Sequence, residues 1–303
     1  MGNERSKIVT LVGTNASGKS AVGIELAKTF QGEIISADSR QIYKGFDLCC
    51  GKVTQEEARV VPHHLLDVRE VGEDFSVFDF QQLAYTAISQ ILQRGRLPFI
   101  VGGTGLYVSA VADGYVLSEK PPRAEGHARL AELPIEELRA RLTPAAREFL
   151  AANPSDWQNK RRVLRILEKT EGGEPLQPRN EPRYDVLQLG ITWPRETLHQ
   201  RIDQRLKTRI AQGMIGEVQE YLDKGGDRQV LYDLGLEYRH ILLYLTGEYP
   251  SMEAFQQELS KEIKRFAKRQ MTWFHRDRSI HWLDMEADYL AQAQGLIRNF
   301  LAG

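Results

Sequence analysis

The stretch IVTLVGTNASGKS, residues 8 to 20, carries the pattern on which the fold turns. Ile8 to Val12 reads as a buried strand, and the eight residues after it have the spacing Gly, four residues, Gly-Lys-Ser. A strand that turns through such a loop into a helix makes a grip for phosphate. Glycines let backbone N–H groups curl around the oxygens, and the helix adds the positive end of its dipole. Gly13, Thr14, Asn15, Ala16, Ser17 and Gly18 supply the loop. Lys19 brings a mobile positive charge, and Ser20 a hydroxyl of the kind such loops set on Mg²⁺. The helix is expected from Lys19 to Phe30, where Ala21, Val22, Ile24, Leu26 and Ala27 recur before Gly32 stops it.

The alternation continues outward. EIISAD at 33 to 38 reads as a second strand. Ser76 with Asp79 looks like an N-cap pair, and Phe80, Leu83, Ala84, Ala87, Ile88 and Ile91 follow at helical spacing until Gly95. LPFIV at 97 to 101 is a further short strand. Strands alternating with helices predict an α/β protein with a parallel sheet. The texture changes near Pro121-Pro122, where strand patterns cease. Tyr184 to Thr192 resumes strand character, the chain from Arg195 is mostly helical, and IHWL at 280 to 283 reads as a last strand. The expected organisation is a P-loop core of residues 1–117 and 184–303, interrupted by a helical insertion at 118–183 and completed by a helical C-terminal part.

Composition narrows the setting. The 303 residues carry 40 Lys and Arg against 41 Asp and Glu, so net charge names no partner and local clusters must be read instead. The two cysteines, Cys49 and Cys50, are adjacent, which disfavours a bridge and leaves no C-x-x-C pair for zinc. Two thiols and no secretory signal predict a cytoplasmic protein. No apolar run approaches membrane-spanning length, and a monomer is expected.

Three strand ends gather the candidate chemistry. Walker-type ATPases usually follow a second apolar strand with an aspartate for Mg²⁺, but LPFIV runs into Gly102-Gly103-Thr104-Gly105. The acid stands instead at the end of EIISAD, in ADSRQIY at 37 to 43. Asp38 could accept a proton there and Gln41 read a base edge; Asp38-Ser39 as a helix N-cap is the plainer reading. In GGTGLY, 102 to 107, glycines allow close approach and Thr104 offers a hydroxyl; an ordinary turn is the alternative. NKRRVLR at 159 to 165 brings Lys160, Arg161, Arg162 and Arg165. Residues 261 to 278 carry seven Lys or Arg against two acids, interleaved with Phe266, Trp273, Phe274 and His275. Basic and aromatic side chains together suit phosphate contact and base stacking, although a solvated helix face has the same look. His63-His64 is read as structural or substrate-lining, since neighbours on a strand face opposite ways. A small-molecule or nucleoside kinase, a prenyltransferase of free adenine nucleotides and a non-catalytic RNA-binding protein are the rival classes.

Taken together, GTNASGKS, ADSRQIYKGFD, PHHLLDV, FSVFDFQ, LPFIVGGTGLY, NKRRVLRILE, HQRIDQR and AKRQMTWF resemble the tRNA dimethylallyltransferase family of the bacterial type, in the family's order and over nearly the whole chain. Cys49-Cys50-Gly51-Lys52-Val53 departs from the family's usual Gly-Thr-Ala-Lys-Pro, Asn159-Lys160 from Asn-Asp, and Leu234-Gly235-Leu236 from Ile-Gly-Tyr. The resemblance implies transfer of a dimethylallyl group from dimethylallyl diphosphate to N6 of the adenosine beside the anticodon, in tRNAs that read codons starting with U. It implies that residues 13 to 20 grip the diphosphate and that Asp38 is the hydrogen-bond acceptor and base. Lys19, Thr104, Arg205 and Mg²⁺, held by Ser20, would stabilise the leaving group. Asp38, Ser39, Arg40, Gln41, Thr104, Arg161, Arg162 and Arg165 would meet the tRNA anticodon stem-loop.

Overall fold

In the computed structural model, which describes residues 5–117, 129–176 and 179–303, the phosphate loop grows out of the middle of a parallel sheet. The strands are β1 (Lys7–Val12), β2 (Glu33–Ser36), β3 (His63–His64), β4 (Pro98–Gly102), β5 (Asp185–Thr192) and β6 (His281–Asp284). Their order is β3-β2-β4-β1-β5-β6, every pair parallel. Helices α1 (Lys19–Thr29), α2 (Asp47–Cys50), α3 (Gln55–Val60), α4 (Val77–Gln93) and α5 (Gly105–Ala112) accompany the first four strands. Next come α6 (Ile135–Arg141), α7 (Pro144–Ala151), α8 (Pro154–Trp157) and α9 (Lys160–Glu171). Between β5 and β6 lie α10 (Arg195–Ala211), α11 (Met214–Asp223), α12 (Arg228–Leu234), α13 (Leu236–Leu245) and α14 (Met252–Phe274), and α15 (Tyr289–Ala302) follows β6.

The apolar character of β1 on both faces follows from coverage on both faces. Ile8 and Val12 pack with Ile35 and Ile100 against Phe80, Ala84 and Ile88 of α4. Val9 and Leu11 pack the other way, with Phe99 and Val101 against Val22 and Leu26 of α1 and Ile297 of α15. The expected cap of α4 is a full capping box. Asp79 N–H donates to Ser76 Oγ at 3.2 Å, and Ser76 N–H donates to Asp79 Oδ2 at 2.8 Å. The second strand is shorter than EIISAD suggests. It stops at Ser36 because the chain then turns: the Arg40 N–H donates to Asp38 Oδ1 at 2.9 Å.

The chain divides into two compact units, residues 1–114 with 182–303, and residues 115–181. The second is helical and has its own core, with Leu138, Ala146, Leu150, Val163, Ile166 and Leu167 buried together. The change of texture expected near Pro121-Pro122 lies outside the described residues. In the first unit the helices after β5 form a third apolar cluster around Ile202, Leu206, Val218, Tyr238, Phe255 and Leu259. Among the described residues no helix is long and apolar enough to cross a membrane.

Candidate active site

Strand register brings the three turns together. Val12 is paired with Gly102 and Ser36 with Val101, so the chain leaves β1, β2 and β4 at one edge of the sheet. That edge holds the carboxyl ends, where open parallel sheets bind their ligands. The turns are also bonded to one another. Thr104 N–H donates to Ala37 O at 3.1 Å, and Ser39 N–H donates to Thr104 Oγ1 at 3.0 Å. A hydroxyl that accepts this bond still has a proton to donate.

The glycines here have identifiable work. Gly18 lies at φ 92° where the loop enters α1, and Ala16 takes φ 61° two residues earlier. At Gly102 a Cβ would stand 2.1 Å from the carbonyl oxygen of Ala37, which also receives the Thr104 N–H. Gly102→Ala is therefore expected to cost at least about 1–3 kcal/mol, the usual range for overpacking. A lower urea midpoint with an unchanged slope is the measurement.

Distant residues hold the phosphate loop from outside. Trp193 Nε1–H donates to Ser17 O at 2.8 Å, and Arg201 Nε–H donates to Ala16 O at 3.0 Å. The Arg201 guanidinium lies 4.4 Å from the centre of the Trp193 ring, which locks the two clamps together. Asn15 N–H donates to Gln270 Oε1 at 2.9 Å, so this amide is committed within the protein. The N–H groups at the start of α1 have no partners within the helix and remain for a ligand. Lys19 Nζ donates to Thr14 O at 3.3 Å. Burial pushes its ammonium down to about 8, opposed by Asp38 and reinforced by Arg205. An anion bound beside it would raise that affinity again and keep the charge to higher pH.

Asp38 caps a turn and begins no helix, so the N-cap reading is corrected: the next helix is α2, from Asp47. Gln41 is held in place in a similar way. Ser36 Oγ donates to its Oε1 at 2.8 Å, and its Nε2 donates to Gly51 O at 3.2 Å. His63 and His64 are structural, bonded at 2.7 Å to Val61 O and to the buried Glu33 carboxylate.

Asp38, Ser39, Arg40, Thr104 and Arg205 line one cavity of about 380 Å³, of a size for a small ligand. Arg205, on α10, donates to Gly51 O at 3.4 Å. Gly51 is at φ 62°, and a Cβ there would meet Arg205 Nη2 at 2.1 Å. Burial and the neighbouring Arg209 hold the Arg205 guanidinium below its usual range. Cys50 also lines the cavity, but burial pushes its thiol up to about 12, which removes it as a nucleophile. The short helix α2 that carries both cysteines is fixed by Glu217, whose carboxylate accepts from Leu48 N–H at 2.8 Å and Cys49 N–H at 2.9 Å.

The basic stretches are less free than they look in sequence. Asn159 is the N-cap of α9, accepting from Arg162 N–H at 3.2 Å. Arg162 pairs with Asp156 at 3.6 Å and Arg165 with Glu174 at 3.6 Å, while Arg161 is exposed and makes no ion pair among the described residues. On α14, Lys264 pairs with Asp203 at 2.7 Å, and Lys261 and Arg265 pair with Glu258 and Glu262. Phe274 is a core residue, not a stacking platform; Trp273 and Arg269 stay exposed.

Comparison with known proteins gives the relatives of this chain. The family model described as IPP transferase matches residues 41–277. A tRNA dimethylallyltransferase 1 of Geotalea daltonii is 42% identical over 294 residues, covering 96% of this chain and 94% of that protein. The crystal structure of a full-length tRNA isopentenylpyrophosphate transferase from Bacillus halodurans superposes with a TM-score of 0.72 at 36% identity, covering 99% of this chain and 96% of the other. A eukaryotic dimethylallyltransferase acting on tRNA superposes with a TM-score of 0.78, over 92% of this chain and 74% of that one; at 23% identity it speaks for the fold alone.

Proposed function

The chain belongs to the IPP transferase family, and from that premise we propose the course of its reaction. It is a tRNA-modifying prenyltransferase. It moves the dimethylallyl group of dimethylallyl diphosphate to N6 of the adenosine beside the anticodon, in tRNAs reading codons that start with U. The observation that carries the mechanism is the convergence of the phosphate loop, Asp38 and Thr104 on one edge of the sheet.

The exocyclic N6 is a weak nucleophile, because its lone pair is delocalised into the ring. As N6 bonds to the allylic carbon, the carbon–oxygen bond breaks and its electron pair leaves with the diphosphate. Asp38 accepts the N6 proton, its Oδ1 held in aim by Arg40 N–H. Lys19, Arg205 and the Thr104 hydroxyl neutralise the departing diphosphate, with the N–H groups that open α1. The base must leave its stack to reach the cavity.

The residues also bear on Mg²⁺. Among the described residues no group of three or more His, Cys, Asp or Glu could hold a metal. At the phosphate end the Ser20 hydroxyl, in the first turn of α1, offers an oxygen donor. This set fits a Mg²⁺ that arrives with its diphosphate, held by Ser20 and phosphate oxygens, where it would supply further charge neutralisation. The direct test is incubation of labelled dimethylallyl diphosphate with unmodified tRNA and free AMP together. Label in the RNA supports the reading, and label only in free adenine nucleotides would replace it.

The tRNA surface of this reading includes α9. Reversing charge at Arg161, Arg162 and Arg165 is expected to weaken tRNA binding and flatten its salt dependence, because fewer counterions are released. Arg161, which pairs with no acid among the described residues, carries the largest share. Affinity for dimethylallyl diphosphate should not change. An unaltered salt slope in the triple variant removes α9 from the RNA surface.

A further inference from the structure

Gln270 is out of place by its neighbours. Ile263, Ala267, Gln270 and Phe274 follow one another at spacings of four, three and four and form the C-terminal part of the buried stripe of α14. Three are apolar and one is an amide, only 7% exposed. A buried amide is costly unless both of its ends are bonded. Here both are, and each end meets a different turn of the active site. Gln270 Oε1 accepts the Asn15 N–H of the phosphate loop at 2.9 Å. Gln270 Nε2 donates to the Gly103 carbonyl after β4, also at 2.9 Å. One partner is a donor and the other an acceptor, so a single orientation of the amide serves both. Gly103 has the room this needs: a Cβ there would come within 2.5 Å of Gln270 Nε2 and 3.5 Å of Lys19 Nζ.

We propose that Gln270 is a positioning residue for the diphosphate: its amide fixes the separation of the phosphate loop from the Gly103-Thr104 turn. The proposal rests on the reading that these two turns hold the leaving group between them. By taking the Asn15 N–H it also holds the loop so that the amides at the start of α1 face the ligand. Lys19, Thr104 and the loop amides touch the diphosphate; Gln270 acts through the backbone of two of those elements.

The test compares the parent with Gln270→Leu and Gln270→Glu. Leucine leaves the Asn15 N–H and the Gly103 carbonyl without partners. Glutamate keeps the volume and the acceptor but loses the donor, setting a carboxylate against the Gly103 carbonyl. Both variants are expected to bind inorganic diphosphate roughly tenfold or more weakly, the scale of a buried group left unpaired. The KM for dimethylallyl diphosphate should rise in step, while the KM for tRNA stays at the parent value. That split separates positioning from a general loss of packing, which would lower Tm without singling out one substrate. If Gln270→Leu does not fold, the nearly isosteric Gln270→Glu decides alone. Parent-like diphosphate affinity in the folded variants overturns the proposal. A parent protein that binds neither diphosphate overturns the grip reading itself.

Discussion

Asp38→Asn is expected to fold, bind both substrates and turn over on the order of 10²–10⁴-fold more slowly, the usual loss when a general base is removed. The structure makes this exchange unusually clean. Asp38 Oδ1 accepts the Arg40 N–H at 2.9 Å, and an asparagine carbonyl accepts it equally well in a turn of this kind. The turn therefore survives, and with it the bond from Ser39 N–H to Thr104. What asparagine cannot do is take up the proton from N6. One secondary effect must be kept apart. Asp38 raises the affinity of Lys19 for its proton, so its neutralisation weakens the phosphate grip as pH rises. The measurement is thus single-turnover transfer to tRNA at neutral pH with saturating dimethylallyl diphosphate, beside a thermal melt. Turnover near the parent rate, in a protein that melts like the parent, takes Asp38 out of the base role.

The fold was legible in sequence to the extent that it is local. The strand, loop and helix around residues 8 to 30 rest on neighbours a few positions apart, and so do the capping box at Ser76 and the strands at 98 and 185. The sides of the active site are another matter. Trp193 and Arg201 hold the phosphate loop from 176 and 185 residues away, and Gln270 from 255. No spacing rule reaches that far. Arg201 nevertheless left a trace, four residues before Arg205 and so on the same face of α10. Gln270 left a clearer one, an amide set between the apolar Ala267 and Phe274 at helical spacing. That trace is obscured when residues 261 to 278 are read only for charge, the reading that also takes Phe274 for a stacking platform. One pairing on α14 was hidden for a related reason: Lys264 meets Asp203, 61 residues earlier, and no local charge pattern shows it.

Lys19→Met should weaken binding of dimethylallyl diphosphate by about 1.5–3 kcal/mol, the scale of one charge-assisted hydrogen bond, and lower turnover as well. Both effects are expected because diphosphate gains charge as it leaves, so the ammonium matters more in the transition state than before it. The lowered proton affinity of Lys19 adds a signature in pH. In the empty site the group titrates at about 8, pushed down first by burial, with Asp38 opposing and Arg205 assisting. Below that pH it is already charged, and this group gives affinity no slope. Above it the free protein holds a neutral amine, and the bound diphosphate draws a proton back onto it. Binding then takes up a proton, so affinity falls as pH rises, by up to about tenfold per unit. Lys19→Met has no such proton to recover. The ratio of parent to variant affinity, in which the ligand's own ionisation cancels, should be constant at neutral pH and shrink above about 8. Titration calorimetry between neutral and alkaline pH, in two buffers of different ionisation enthalpy, reads the affinity and the proton together. A variant that binds like the parent at neutral pH removes Lys19 from the phosphate grip. A ratio that stays flat into alkaline pH keeps Lys19 in the grip but makes it an ordinary lysine, charged throughout.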